Sequence, residues 1–151
     1  MVKYYNAMVV FEEIPNEITL AINITNCPCK CEGCHSKFLW ADTGTPLTFD
    51  ELDELIKKND GITCVCFMGG DAEPSYINEL AEHLSDNNLK IGWYSGKDKL
   101  SDAINLVLFK YIKIGHYIES LGGLDKKTTN QRLYEVVNGD LIDITEKIWS
   151  R

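Results

Sequence analysis

Four of the six cysteines of this chain are crowded between positions 27 and 34, as Cys27, Cys29, Cys31 and Cys34. Thiols at that density oxidise unless something holds them, so the segment must be cross-linked or must ligate a metal or cluster. Compartment decides between these. The opening Met1-Val-Lys-Tyr-Tyr-Asn lacks an apolar core and a small-residue cleavage site, which predicts no export signal. No apolar run approaches the roughly 20 residues that span a bilayer. A cytoplasmic, reducing setting is therefore expected, where disulfides are disfavoured and metal ligation gains.

The spacing narrows the metal. Cys27-x3-Cys31-x2-Cys34 offers three thiolates on one short loop, with Cys29 as an extra. Iron–sulfur clusters are held by such loops, and a cubane with three protein thiolates leaves one iron open to an amine and a carboxylate. Two alternatives stand beside this: a structural zinc using all four thiols, and a fully ligated cluster that only carries electrons. Zinc usually draws on two separated pairs. The second pair available is Cys64-x-Cys66, which shares one face of an apolar strand, where cysteine acts as a small apolar residue.

Composition limits the partners. Twenty-three acids against fifteen bases give a net charge of −8, a poor surface for phosphate backbones, and no basic run offsets it. Nucleic acid and membrane are both excluded as expected partners, leaving small molecules or another protein.

Along the chain, Tyr4 to Phe11 and Glu17 to Thr25 pattern as strands, with a turn at Pro15-Asn16. Thr48-Phe-Asp-Glu51 is a capping box that opens a helix running to about Asn59. Ile62 to Met68 is apolar on both faces, as in a strand covered from both sides. A helix from about Ser75 to Asn87-Asn88 follows, then a strand over Leu89 to Tyr94. Lys97 to Leu106 is expected to form a helix, and Phe109 to Ile114 another strand. The alternation predicts an α/β fold, mostly a parallel sheet with helical crossovers. The strands are too few for a closed eightfold barrel. The expectation is an open partial (β/α) barrel, in one domain over 1–151, with an irregular C-terminal tail whose last strand is Arg132 to Val137.

A second constellation, Gly69-Gly70-Asp71, stands at the carboxyl end of the buried strand. Ligands gather at that edge of α/β sheets. Paired glycines let backbone approach a ligand closely, and Asp71 can hydrogen-bond an ammonium group.

Together these residues carry a resemblance. Cys27-x3-Cys31-x2-Cys34, followed by a strand ending in Gly69-Gly70-Asp71, resembles the radical S-adenosylmethionine (radical SAM) superfamily. Tyr111-Ile-Lys-Ile-Gly-His-Tyr117 and Thr129-Asn-Gln-Arg132 resemble the C-terminal third of the activating proteins of anaerobic ribonucleoside-triphosphate reductase. The likeness runs from the first strand to about Val137. It implies that Cys27, Cys31 and Cys34 hold three irons of a [4Fe-4S] cluster, with S-adenosyl-L-methionine chelating the fourth. It implies that Gly69, Gly70 and Asp71 contact the methionine amine, and that Gly33 and His35 lie near the adenine. The family's acid is usually glutamate, so Asp71 is one methylene shorter. The position before the third cysteine is often aromatic, and here it is Gly33. The implied activity is generation of a glycyl radical on the large subunit of anaerobic ribonucleoside-triphosphate reductase, with electrons from a donor such as flavodoxin or ferredoxin. An activase of another glycyl-radical enzyme, such as pyruvate formate-lyase, is the near alternative, though those chains are longer. A small iron–sulfur carrier or a zinc-stabilised binding module is the alternative from another class. Cys29 has no role in the implied set.

Elsewhere, His83 is expected to face solvent and Trp40 and Trp93 to serve as core or rim. His116 and Lys113 are candidates to face the site. Arg132 is a candidate to grip a carboxylate.

Overall fold

The computed structural model describes residues 1–34 and 37–150. Eight strands form one mixed sheet: β1 (Lys3–Val10), β2 (Thr19–Ile24), β3 (Thr45–Pro46), β4 (Cys64–Met68), β5 (Lys90–Tyr94), β6 (Tyr111–Ile114), β7 (Arg132–Val137) and β8 (Asp140–Asp143). Their order across the sheet is β3-β1-β2-β4-β5-β6-β7-β8. The inner four, β2, β4, β5 and β6, run parallel; β1, β3, β7 and β8 join antiparallel on the two flanks.

Three short helices accompany the sheet: α1 (Phe49–Lys58), α2 (Pro74–His83) and α3 (Glu146–Trp149). The expected open partial (β/α) barrel is therefore corrected. Only the β2–β4 and β4–β5 crossovers carry an α-helix, and half of the sheet is antiparallel. The helix expected over Lys97 to Leu106 does not form; only a single 3₁₀ turn, Leu106–Leu108, stands near its end. Short polar side chains compete with the helical amides there. Ser101 Oγ accepts from Ala103 N at 3.2 Å, and the Asn105 side chain accepts from Val107 N. The tail carries the expected strand over Arg132 to Val137 as β7 and, beyond that expectation, β8 and α3.

The tail is ordered because the sheet has two apolar faces to cover. On β4, Val65 and Phe67 point into a core built with α1 and α2 through Leu52, Ile77, Leu80 and Ala81. Cys64 and Cys66 point the other way, as strand periodicity demands. They meet Ile14, Tyr111, Leu133, Ile144 and Ile148, so the tail closes the second face. Both thiols are fully buried, and burial pushes Cys64 up to about 12. α1 starts where the capping box placed it, with Thr48 Oγ1 accepting from Glu51 N at 3.0 Å.

Beneath the amino ends of the parallel strands, Glu17 is buried. It accepts from Lys90 Nζ at 2.8 Å, Tyr111 Oη at 2.5 Å and Thr63 Oγ1 at 2.7 Å. No helix of the described residues is long and apolar enough to cross a membrane.

Candidate metal and ligand site

The chain leaves β2 at Ile24 and enters the cysteine loop, which lies over the carboxyl ends of the parallel strands. Two backbone bonds fasten its near end, Asn26 N to Ala41 O and Cys27 N to Leu39 O, each 3.0 Å. Lys30 and Gly33 take positive φ (45° and 72°), which curls the loop back on itself. Cys34 closes it, its amide donating to Cys31 O at 3.2 Å. No disulfide joins the six cysteines, all of them among the described residues.

Asp71 organises the facing wall. Its carboxylate accepts from Gly96 N at 2.8 Å and from Ser95 Oγ at 2.5 Å, tying the loop after β4 to the loop after β5. The same Oδ2 lies 3.9 Å from Cys29 Sγ. Gly96 makes room for that sulfur: a Cβ at position 96 would stand 2.9 Å from it. Burial, with the Asp71 carboxylate and the Cys27 and Cys31 sulfurs beside it, pushes the Cys29 thiol up to about 12. Asp71, expected to meet an incoming ammonium, is thus also a structural anchor.

Gly69 and Gly70 bring the β4 end in close, at φ 113° and 92°. A Cβ on Gly70 would lie 2.6 Å from Ile77 Cδ1, so the second glycine is demanded by packing on α2. Trp93 is core, with its indole N–H donating to Gly69 O at 2.6 Å.

Lys113 was only a candidate from sequence, and it is central. It is 8% exposed, and its ammonium donates to two neutral acceptors, Ser95 O at 3.1 Å and Gly115 O at 3.0 Å. Burial lowers its pKa, opposed by the charges of Asp71, Cys31, Cys29 and Cys27. Three of the four loop cysteines and Asp71 therefore share the field of one buried cation, with Cys34 joined to them through Cys31 O.

A cavity of about 910 Å³ opens beside this group, lined in part by Cys29, Cys31, Gly96, Lys97, His116 and Glu119. Its size falls in the range of roughly 300–1,000 Å³ typical of small-molecule sites. His116 lines it, Nδ1 2.7 Å from Asp98 Oδ1, with its amide also donating to that oxygen at 3.1 Å. The His116 contact holds the Asp98 carboxyl below its usual range. Gly33, expected near an adenine, lies against Glu119: a Cβ there would stand 2.6 Å from the carboxyl. His35 lies outside the described residues. His83 pairs with Asp53 at 2.9 Å and stacks on Phe49, away from the site. Arg132 is used within the tail, donating to Asp143 Oδ2 at 2.8 Å and lying over Trp149.

Sequence reasoning missed Ser95, Gly96 and Glu119, because nothing local marks them; only the parallel register sets the loop after β5 beside Asp71.

The donor set discriminates between metals. A single zinc ion needs its donors about 2.0–2.3 Å from one point, and among the described residues no three His, Cys, Asp or Glu side chains gather that way. A cubane asks for something different, since each thiolate binds its own iron. Several thiols on one short loop, facing a buried ammonium, fit a thiolate-bound, anionic cluster in their chemistry. Comparison with protein-family models, with curated proteins and with solved structures finds no match.

Proposed function

We propose that this protein is a radical SAM activating enzyme, in which Cys27, Cys31 and Cys34 hold a [4Fe-4S] cluster and S-adenosyl-L-methionine enters the adjoining cavity. The single observation that carries the reading is the setting of Lys113. A buried ammonium whose hydrogen bonds go to neutral carbonyls, with Asp71 as the nearby carboxylate, is costly, and a thiolate-ligated cluster would add negative charge to offset it. The cluster, when bound and reduced, supplies the electron that cleaves the sulfonium.

The chain's own residues do the rest. Asp71 presents a carboxylate to the ligand's ammonium while Ser95 and Gly96 fix its orientation. Lys113 tempers the charge of the loop from below. Lys97 and His116 on the cavity wall offer donors to a carboxylate or ribose, with Asp98 holding the imidazole in place.

The partner we propose is the large subunit of anaerobic ribonucleoside-triphosphate reductase, which would present a glycine loop to the open mouth of the cavity. Both tail stretches that support this lie together beside the site: Asn130 Nδ2 donates to His116 O at 3.1 Å, and Gln131 Nε2 to Gly115 O at 3.3 Å. Reducing cytoplasm suits a chain whose six cysteines form no disulfide.

The test is anaerobic reconstitution with iron and sulfide, then addition of S-adenosylmethionine and dithionite. The reading expects methionine and 5′-deoxyadenosine; a cluster that forms but leaves S-adenosylmethionine intact points instead to an electron carrier.

A further inference from the structure

We propose that Cys29 is a fourth, exchangeable ligand, capping the open iron in the resting protein and withdrawing when the ligand's amine and carboxylate arrive. This rests on the cluster-binding reading above and deepens it by naming what guards the vacant corner.

Three observations converge on Cys29. It stands midway between Cys27 and Cys31 in the loop. It is also the loop cysteine whose sulfur reaches Asp71, at 3.9 Å from Oδ2. Finally, both Cys29 and Cys31 border the cavity, so the sulfur has open space to retreat into. The cysteine thus occupies the corner where an incoming ammonium would seek its carboxylate. Gly96 is shaped to that arrangement, since any Cβ there would press on the Cys29 sulfur. Thiol and ligand cannot both sit against Asp71.

The exchange balances without an oxidant. One Fe–S bond to Cys29 breaks, and one Fe–N and one Fe–O bond form. The ammonium proton lost as the amine coordinates passes to the departing thiolate, and no electron moves. A capped iron is the one least exposed to oxidants, which would protect the cluster between turnovers.

The experiment uses the full chain, wild type and Cys29→Ala, reconstituted side by side. Limited ferricyanide oxidation strips the unligated iron from an open-corner cubane, leaving a three-iron cluster with its own electron paramagnetic resonance signal. Cys29→Ala is expected to convert several times faster than wild type. Equal conversion rates would overturn the proposal. So would failure of Cys29→Ala to assemble any cluster while Cys34→Ala does, because Cys29 would then be a permanent ligand. Absence of cubane absorbance in the wild type itself is a separate result, and it removes the cluster-binding reading as well.

Discussion

Asp71 accepts a hydrogen bond from the backbone amide of Gly96 at 2.8 Å, bolting together the loops that follow two adjacent parallel strands. Because Ser95 binds the other oxygen, the carboxylate is held in one orientation with an edge toward Cys29. Removing it leaves the half-buried Gly96 amide and the buried Ser95 hydroxyl without their acceptor. Asp71→Ala is expected to cost about 1–3 kcal/mol in urea denaturation. Asp71→Asn, which keeps an acceptor but loses the charge, should recover much of that stability while still weakening S-adenosylmethionine binding in equilibrium dialysis.

Two glycines should respond in opposite ways to a single methyl group. Gly70 has φ 92° and no room beside Ile77, so Gly70→Ala is expected to destabilise the fold by roughly 1–3 kcal/mol. At Gly96 the close contact of the added methyl is with the Cys29 sulfur, 2.9 Å away, while Asp71 Oδ2 stands at an ordinary 3.6 Å. Gly96→Ala should therefore unfold within about 0.5 kcal/mol of wild type, yet hold its iron less firmly, as measured by chelator challenge.

Lys113 separates stability from function. Replacing a buried charge by an apolar side chain of similar length is often neutral or stabilising. Lys113→Met removes a costly buried charge but leaves Ser95 O without that donor, so the metal-free protein is expected to stay within about 1 kcal/mol of wild type in urea. The reconstituted variant should lose iron faster and show a lower cluster reduction potential, because the cation that favours the more negative, reduced state is gone. An unchanged potential would remove Lys113 from the site's electrostatics.

The buried Glu17 gives a pH dependence with a definite sign. Burial alone would raise its pKa, but hydrogen bonds from Lys90, Tyr111 and Thr63 outweigh that and hold it below its ordinary value. A carboxylate depressed in the folded state contributes stability that is complete above its unfolded pKa of about 4.3 and fades as pH falls through the folded value. Urea midpoints should therefore drop on acidification below about pH 4.3, more steeply in wild type than in Glu17→Gln. At neutral pH Glu17→Gln should be the weaker protein, since Lys90 loses its ionic partner.

Local signals carried much of the secondary structure. The Thr48–Glu51 capping box set the start of α1, and the doubly apolar run of Cys64–Met68 marked a covered strand. The short last strand expected over Arg132 to Val137 is β7. The candidate site was likewise marked in one dimension, by the crowded thiols of the cysteine loop and the paired glycines before Asp71. What was hidden is set by tertiary register. The antiparallel flanks that turned an expected partial barrel into a mixed sheet depend on how β1 and β7 pair, which no local pattern states. The Lys97–Leu106 segment misled because two apolar residues, Leu100 and Ile104, sit at helical spacing while Ser101 and Asn105 bond the backbone. The roles of Ser95, Gly96 and Glu119 emerge only once β4, β5 and β6 lie side by side.

The account stands most directly on whether the cysteine loop holds a cubane that S-adenosylmethionine can reach. The decisive measurement is the low-temperature electron paramagnetic resonance spectrum of the anaerobically reconstituted, dithionite-reduced protein before and after S-adenosylmethionine is added. The account predicts a reduced [4Fe-4S] signal whose g-values shift on addition, lost together in Cys27→Ala, Cys31→Ala and Cys34→Ala. A cubane signal that ignores S-adenosylmethionine, or a protein that takes up zinc and no cluster, would contradict it.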